Sequence, residues 1–228
     1  MANLETLHDG WGVGLLDVSG LITRPQRLKS ALWVCRAAGR ERMEIKRMKI
    51  KVCLVGEAAV GKTSLIRRFV LDNFDDKYIQ TLGTKVSKKE LSSSFEGGDL
   101  KIDMTIWDIM GQKGFRELLK EAYFYGAKGI LAVCDVTRKK TLEDLDDWIE
   151  GVYSVTGKIP IEFLANKVDL QDQIQVTEDD MVQAARAYGS PHHFTSAKTG
   201  VNVETAFRSL ADRIARERYA RPVSSPDG

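Results

Sequence analysis

Ile50-Lys51-Val52-Cys53-Leu54-Val55-Gly56-Glu57-Ala58-Ala59-Val60-Gly61-Lys62-Thr63-Ser64 reads as a short β-rich run, a glycine-bounded loop and the opening of a helix. The loop is a glycine, four residues, then Gly-Lys-Thr, and the helix continues to Val70 with Leu65, Ile66 and Phe69 on one side. In this order of strand, loop and helix, the backbone N–H groups from Gly56 through Ala58, Ala59, Val60 and Gly61 point inward. The helix beginning at Lys62, Thr63 and Ser64 offers its positive end, so the whole loop is an anion cradle. Lys62 adds a full charge, Gly61 permits close backbone approach, and Thr63 presents a hydroxyl for Mg²⁺ beside the phosphates. A bare glycine turn before a helix is the bland alternative, and the strand-loop-helix order argues against it. Alone, the loop indicates a nucleoside triphosphate without choosing the base.

Outward from this loop, strand and helix patterns alternate from Lys49 onward, the signature of a parallel sheet covered on both faces. Residues 85–95 and 100–107 read as a hairpin turning at Glu96-Gly97-Gly98-Asp99, the antiparallel exception. Gly129 to Val136 is a continuous apolar run suited to a central strand, Ile161 to Leu164 is another, and residues 193–195 form a last short strand. Residues 141–155 and 177–188 have helical patterning, each opened by a threonine with an acid in the first turn. The final helix carries Val203, Ala206, Phe207, Leu210 and Ile214 on one side and collects Arg213, Arg216 and Arg218 at its outer end.

Three further motifs lie at or just beyond the C-terminal ends of strands, the edge where open α/β sheets bind ligands. In Trp107-Asp108-Ile109-Met110-Gly111-Gln112, Asp108 can hold Mg²⁺ through water, the Gly111 N–H can meet the terminal phosphate, and Gln112 can orient a water for in-line attack. In Asn166-Lys167-Val168-Asp169, the Asp169 carboxylate can accept from N1–H and N2–H₂ of guanine, whereas adenine would set an acceptor against it. Two hydrogen bonds to a charged group, each about 1.5 to 3 kcal/mol, prefer guanine by roughly a hundredfold to ten-thousandfold or more. Asn166 can serve the O6 and N7 side and the Lys167 stem can cover the ring. The Ser196-Ala197-Lys198 turn adds a backbone N–H for O6 and a second alkyl cover. Thr81, in the polar loop between the first helix and the hairpin, is the remaining Mg²⁺ candidate.

The bulk numbers exclude several classes. A chain of 228 residues, 43% apolar and 29% charged, is ordinary globular protein with one core and an appendage. Residues 1–48 hold eight basic and five acidic residues and the rest hold 26 and 27, so the body lacks the basic footprint of a nucleic-acid binder. Cys35, Cys53 and Cys134 show no metal spacing and read as small core residues in a reducing compartment. No apolar run is long enough to span a membrane, and the N-terminus lacks a secretion pattern. His8, His192 and His193 read as solvated surface.

The motifs, their order and their separations resemble the Ras superfamily of small GTPases, closest to its Rab branch, over roughly residues 47–218. Tyr78-Ile79-Gln80-Thr81-Leu82-Gly83, Cys134-Asp135-Val136-Thr137 and Thr199-Gly200-Val201-Asn202-Val203 extend the resemblance. It implies a P-loop NTPase G domain: a six-stranded, mostly parallel sheet with one antiparallel strand and helices on both faces. It also implies that Phe74 packs on the base, that Tyr78 joins the nucleotide contacts, that Thr81 closes on Mg²⁺ and the γ-phosphate, and that Gln112 is the catalytic, water-orienting residue. Effector, exchange and GTPase-activating proteins are then expected at the two switch loops, on a cytoplasmic monomer.

The chain departs from the family's pattern in several places. Ile109-Met110 replace small residues before the switch glycine, Val86 stands where a Phe is usual, Ala58 and Ala59 replace glycines, and the stretch from Gln112 to Tyr125 is about one residue longer. The tail, 221–228, carries no prenylation cysteine and Ala2 does not suit myristoylation, so no stable lipid anchor is expected. Residues 1–46 have no counterpart in the family and are expected to be a disordered extension or to precede the true start. Arg27 to Met43 could also lie weakly on an anionic membrane through Leu28, Ala31, Leu32, Cys35 and Ala38.

The expectation for residues 47–220 is thus a GTP-binding switch that hydrolyses GTP to GDP and phosphate. With no arginine between Asp72 and Thr84, no finger is evident in switch I and turnover is expected to be slow. The alternatives are a GTP-dependent binding module with negligible hydrolysis and, less well supported, a kinase using the same loop.

Overall fold

A computed structural model describes residues 46–75, 81, 83–95, 98–111 and 120–219. Six strands form one sheet: β1 (Lys46–Val55), β2 (Thr84–Phe95), β3 (Gly98–Ile109), β4 (Gly129–Asp135), β5 (Ile161–Asn166) and β6 (His192–Thr195), in the order β2-β3-β1-β4-β5-β6. Only β2 against β3 is antiparallel; every other neighbour pair is parallel. The helices with both ends among the described residues are α1 (Lys62–Leu71), the short α2 (Lys140–Glu143), α3 (Leu145–Thr156), α4 (Glu178–Ala187) and α5 (Val203–Tyr219), with a 3₁₀ turn at Gln171–Gln173.

The pleat of the central strands sorts side chains into two cores. Along β1, Met48, Ile50, Val52 and Leu54 face the layer holding α1 and α5, while Cys53 and Val55 face α2, α3 and α4. In β4, Leu131 and Val133 take the first side and Ile130, Ala132 and Cys134 the second. Phe69 of α1 stacks on Phe207 of α5, with centroids 4.1 Å apart and rings 5° from parallel. Such a pair contributes about 0.5–1.5 kcal/mol beyond its buried area and locks the two helices together.

Several boundaries differ from the sequence reading. The helix expected over 141–155 is divided at Asp144, where ψ is −4°, into α2 and α3. Thr141 does not open it: its hydroxyl is buried in the β4–α2 corner, accepting from Asp135 N at 2.9 Å and donating to Arg138 O at 2.7 Å. Thr177 does cap α4, in a reciprocal box with Asp180. β2 pairs with β3 as far as Phe95 and Gly98, so the hairpin connection is tighter than four residues. Asn166 is the last residue of β5 instead of a loop residue.

The second histidine of β6 is also not solvated surface. Glu162 shares the pleat parity of Leu164 on β5, facing α5, and is fully buried. It is satisfied by His193 Nε2 at 2.8 Å, Ser209 Oγ at 3.0 Å and Arg213 Nη1 at 3.3 Å. Arg213 therefore turns inward, away from the outer cluster expected at the end of α5, because a buried carboxylate needs hydrogen-bonded countercharge. His192 lies against Glu178 at 2.7 Å. His8, Cys35, the amphipathic stretch 27–43 and the tail 221–228 lie outside the described residues.

Candidate guanine nucleotide site

The loop after β1 closes around a lysine. Lys62 is buried, and its Nζ donates to the carbonyls of Gly56 at 2.7 Å and Glu57 at 2.8 Å. Gly61 sits at φ 100°, and a Cβ there would collide with Asn166 Nδ2, so only glycine fits. Burial pushes the Lys62 ammonium down to about 8, Asp108 and Glu57 oppose the shift, and Arg138 adds to it. A further anion beside this buried cation would favour its charged form.

Beside it, three oxygens expected to serve a metal converge. Thr63 Oγ1 lies 2.6 Å from Asp108 Oδ2 and 3.0 Å from Thr81 Oγ1. Asp108 is held near the end of β3 by pairing with Leu54 on one side and Lys85 on the other, and is 2% exposed. Its Oδ1 is buried and has no hydrogen-bond partner among the described residues. Burial pushes this carboxyl up, against the hydrogen bond from Thr63 and the charge of Lys62. An all-oxygen set with one buried, unsatisfied carboxylate oxygen suits a hard divalent cation, so Thr63, Thr81 and Asp108 fit Mg²⁺. Gly111 presses on the loop: a Cβ added there would come within 2.5 Å of Ala58 N.

At the other end, Asn166 ties three segments together. Its Nδ2 donates to Val60 O at 2.9 Å, and its Oδ1 accepts from Ala197 N at 3.2 Å and Thr195 Oγ1 at 3.3 Å. Expected to read the O6 and N7 side of the base, Asn166 has its carbonyl committed to protein. One amide hydrogen is left for an acceptor such as N7. Ser196 Oγ donates to Asp169 Oδ1 at 2.5 Å, fixing the carboxylate expected to meet the base. Lys167, at φ 74°, stretches its ammonium to Asp135 Oδ2 at 2.7 Å, which lays its alkyl stem along the site.

One cavity of about 300 Å³, within the range of small-molecule sites, joins the two ends. Its wall includes Ala58, Ala59, Gly61, Lys62, Thr63, Ser64, Phe74, Thr81, Gly111, Asn166, Lys167, Asp169, Ala197 and Lys198. Gly56, Val60 and Ser196 lie behind that wall, buried in its support. Tyr78 and Gln112 lie outside the described residues. Arg67, Asp75, Ile109, Met110 and Leu170 also line the cavity and were not anticipated. Nor was the role of Asp135, 1% exposed, which accepts from Thr137, Arg138 and Lys167. Its place at the C-terminal end of β4 was the available signal, since every other motif occupies that edge of the sheet.

Sheet order and phosphate loop together define a nucleotide-binding protein of the P-loop class. Residues 51–216 match the sequence pattern described as Ras family. The chain is 36% identical over 165 residues to the Ras-related protein Rab-13 of Canis lupus familiaris, a match covering 72% of this chain and 79% of that protein. It is 36% identical over 168 residues to Rab-21 of Geodia cydonium, covering 73% and 71%, and 37% identical over 167 residues to Rab-8B of Homo sapiens, covering 72% and 77%. The chain belongs to the Ras family and is a GTP-binding small GTPase.

Proposed function

We propose that this GTPase is a Mg²⁺-dependent switch that hydrolyses GTP to GDP and phosphate, cycling between effector-binding and inactive states. The observation that carries the reading is the meeting of Thr63, Thr81 and Asp108, from the phosphate loop and the two flanking segments, at a buried carboxylate oxygen with no hydrogen-bond partner among the described residues. Segments that a cation and a terminal phosphate help to hold lose that bridge when the phosphate leaves, which is the physical basis of a switch. Mg²⁺ held there would neutralise charge on the phosphates. Lys62 and the loop amides hold the phosphates, Asp169 selects guanine, and Gln112 orients the attacking water. Effector, exchange and activating proteins would act at the switch segments of a cytoplasmic monomer, with residues 1–46 outside the GTPase domain. Among the described residues no helix is long and apolar enough to cross a membrane.

Single-turnover phosphate release from a GTP-loaded chain tests the reading against a binding module without hydrolysis. Release is expected at about 10⁻⁴ to 10⁻² s⁻¹, the range of GTPases acting alone. Gln112→Leu is expected to keep GTP affinity and depress release at least tenfold; unchanged release would remove Gln112 from its role.

A further inference from the structure

One cation beside the phosphate loop belongs to none of the nucleotide motifs. Arg138 follows β4, and the buried Asp135 carboxylate accepts its Nε–H at 3.1 Å. From that anchor its Nη2 reaches the carbonyl of Ala58 at 3.0 Å. Ala58 lines the cavity at the end where Gly111 packs on the loop, which is where a terminal phosphate would lie. A guanidinium carries five N–H donors; these two bonds use two, and the others have no partner among the described residues. The side chain is 44% exposed, so it can swing across the mouth of the site while Asp135 holds its base.

We propose that Arg138 is a catalytic residue, an arginine finger supplied in cis, whose guanidinium donates to oxygens of the terminal phosphate as GTP is hydrolysed. The inference rests on the hydrolysis reading above. In the step, a water oxygen bonds to the γ-phosphorus and the bond to the β–γ bridging oxygen breaks. The electron pair passes to GDP, and the water's proton leaves with inorganic phosphate or solvent. Arg138 keeps its protons throughout and balances the negative charge gathering on the departing oxygens. Arg138 lies within the electrostatic reach of Lys62, which places a second positive group at the same end of the site. Lys167 and Arg138 share the Asp135 carboxylate, so the group covering the base and the group facing the phosphate are held by one anchor.

The test uses the full chain and its Arg138→Ala and Arg138→Lys variants. Single-turnover phosphate release is expected to fall at least tenfold in Arg138→Ala and to recover only in part in Arg138→Lys, with dissociation constants for GDP and GTP within threefold of the unaltered chain. GDP with aluminium fluoride and Mg²⁺, which mimics the phosphoryl group in flight, is expected to form a stable complex with the unaltered chain alone and not with Arg138→Ala. Equal release from Arg138→Ala and the unaltered chain overturns the proposal. So does a loss of release matched by an equal loss of nucleotide affinity, which would make Arg138 a prop for the loop. Absence of phosphate release from an unaltered chain that still binds GTP overturns the hydrolysis reading together with the proposal.

Discussion

One oxygen of Asp169 is held by Ser196, which orients the carboxylate proposed to read guanine. Preorganised acceptors discriminate well because no reorganisation offsets their gain. Replacing Asp169 with Asn sets a donor where guanine presents its 2-amino group. The variant is expected to lose at least a hundredfold in GTP affinity and to bind xanthosine triphosphate, whose 2-carbonyl accepts from the new amide, more tightly than GTP. Competition between the two nucleotides in an equilibrium filter assay reads this directly, and an unchanged order of preference would remove Asp169 from base selection. Asn166 illustrates the limit of reading single residues. Its motif places it near the base, whereas its contacts to Val60 and Ala197, distant in the chain, assign it a clamping task that only the folded arrangement displays.

The β4–α2 corner was the least legible element. Thr141 looked like a helix opener because threonine followed by an acid is a capping signal, but its hydroxyl is drawn into the corner by the Asp135 N–H and the Arg138 carbonyl. The strand and hairpin pattern was legible because alternation and apolar runs are local signals; Glu162 was not, since its three partners come from β6 and α5. Asp135 makes the corner pH-dependent. Desolvation raises its carboxyl, but hydrogen bonds from Lys167 and Thr137 outweigh that and hold it below the ordinary value of 3.8. A carboxyl lowered by folding contributes fully above its ordinary value and loses that contribution as pH falls through the folded one. Asp135→Asn is therefore expected to be less stable by about 2 kcal/mol at neutral pH, because Lys167 and Arg138 are partly solvated. The gap should hold from pH 7 to 5 and narrow below pH 4, as urea midpoints would record. A gap indifferent to pH would exclude the ionised carboxylate as its source.

Across the molecule, the sheet separates two cores, and the two described cysteines lie in the one beneath α3 and α4. Burial pushes the thiols of Cys53 and Cys134 up to about 12. At pH 8 only about one thiol in ten thousand would be thiolate, the form that reacts. Both are expected to resist iodoacetamide in the folded chain and to react once it is unfolded in urea, as peptide mass spectrometry would show. Rapid native labelling of Cys134 would mean that β4 opens readily.

On the other side of the sheet, Arg68 in α1 donates from Nε to Ala197 O at 2.9 Å and from Nη2 to Lys198 O at 2.6 Å. The same helix begins with Lys62 and Thr63, so the Ala197-Lys198 turn hangs from the helix that opens with the phosphate-loop lysine. Loosening either end slackens the other through a single guanidinium. If the two ends hold base and phosphates as proposed, a catalyst of nucleotide release would need a handhold at only one end, and the dwell time of GDP would belong to both ends jointly.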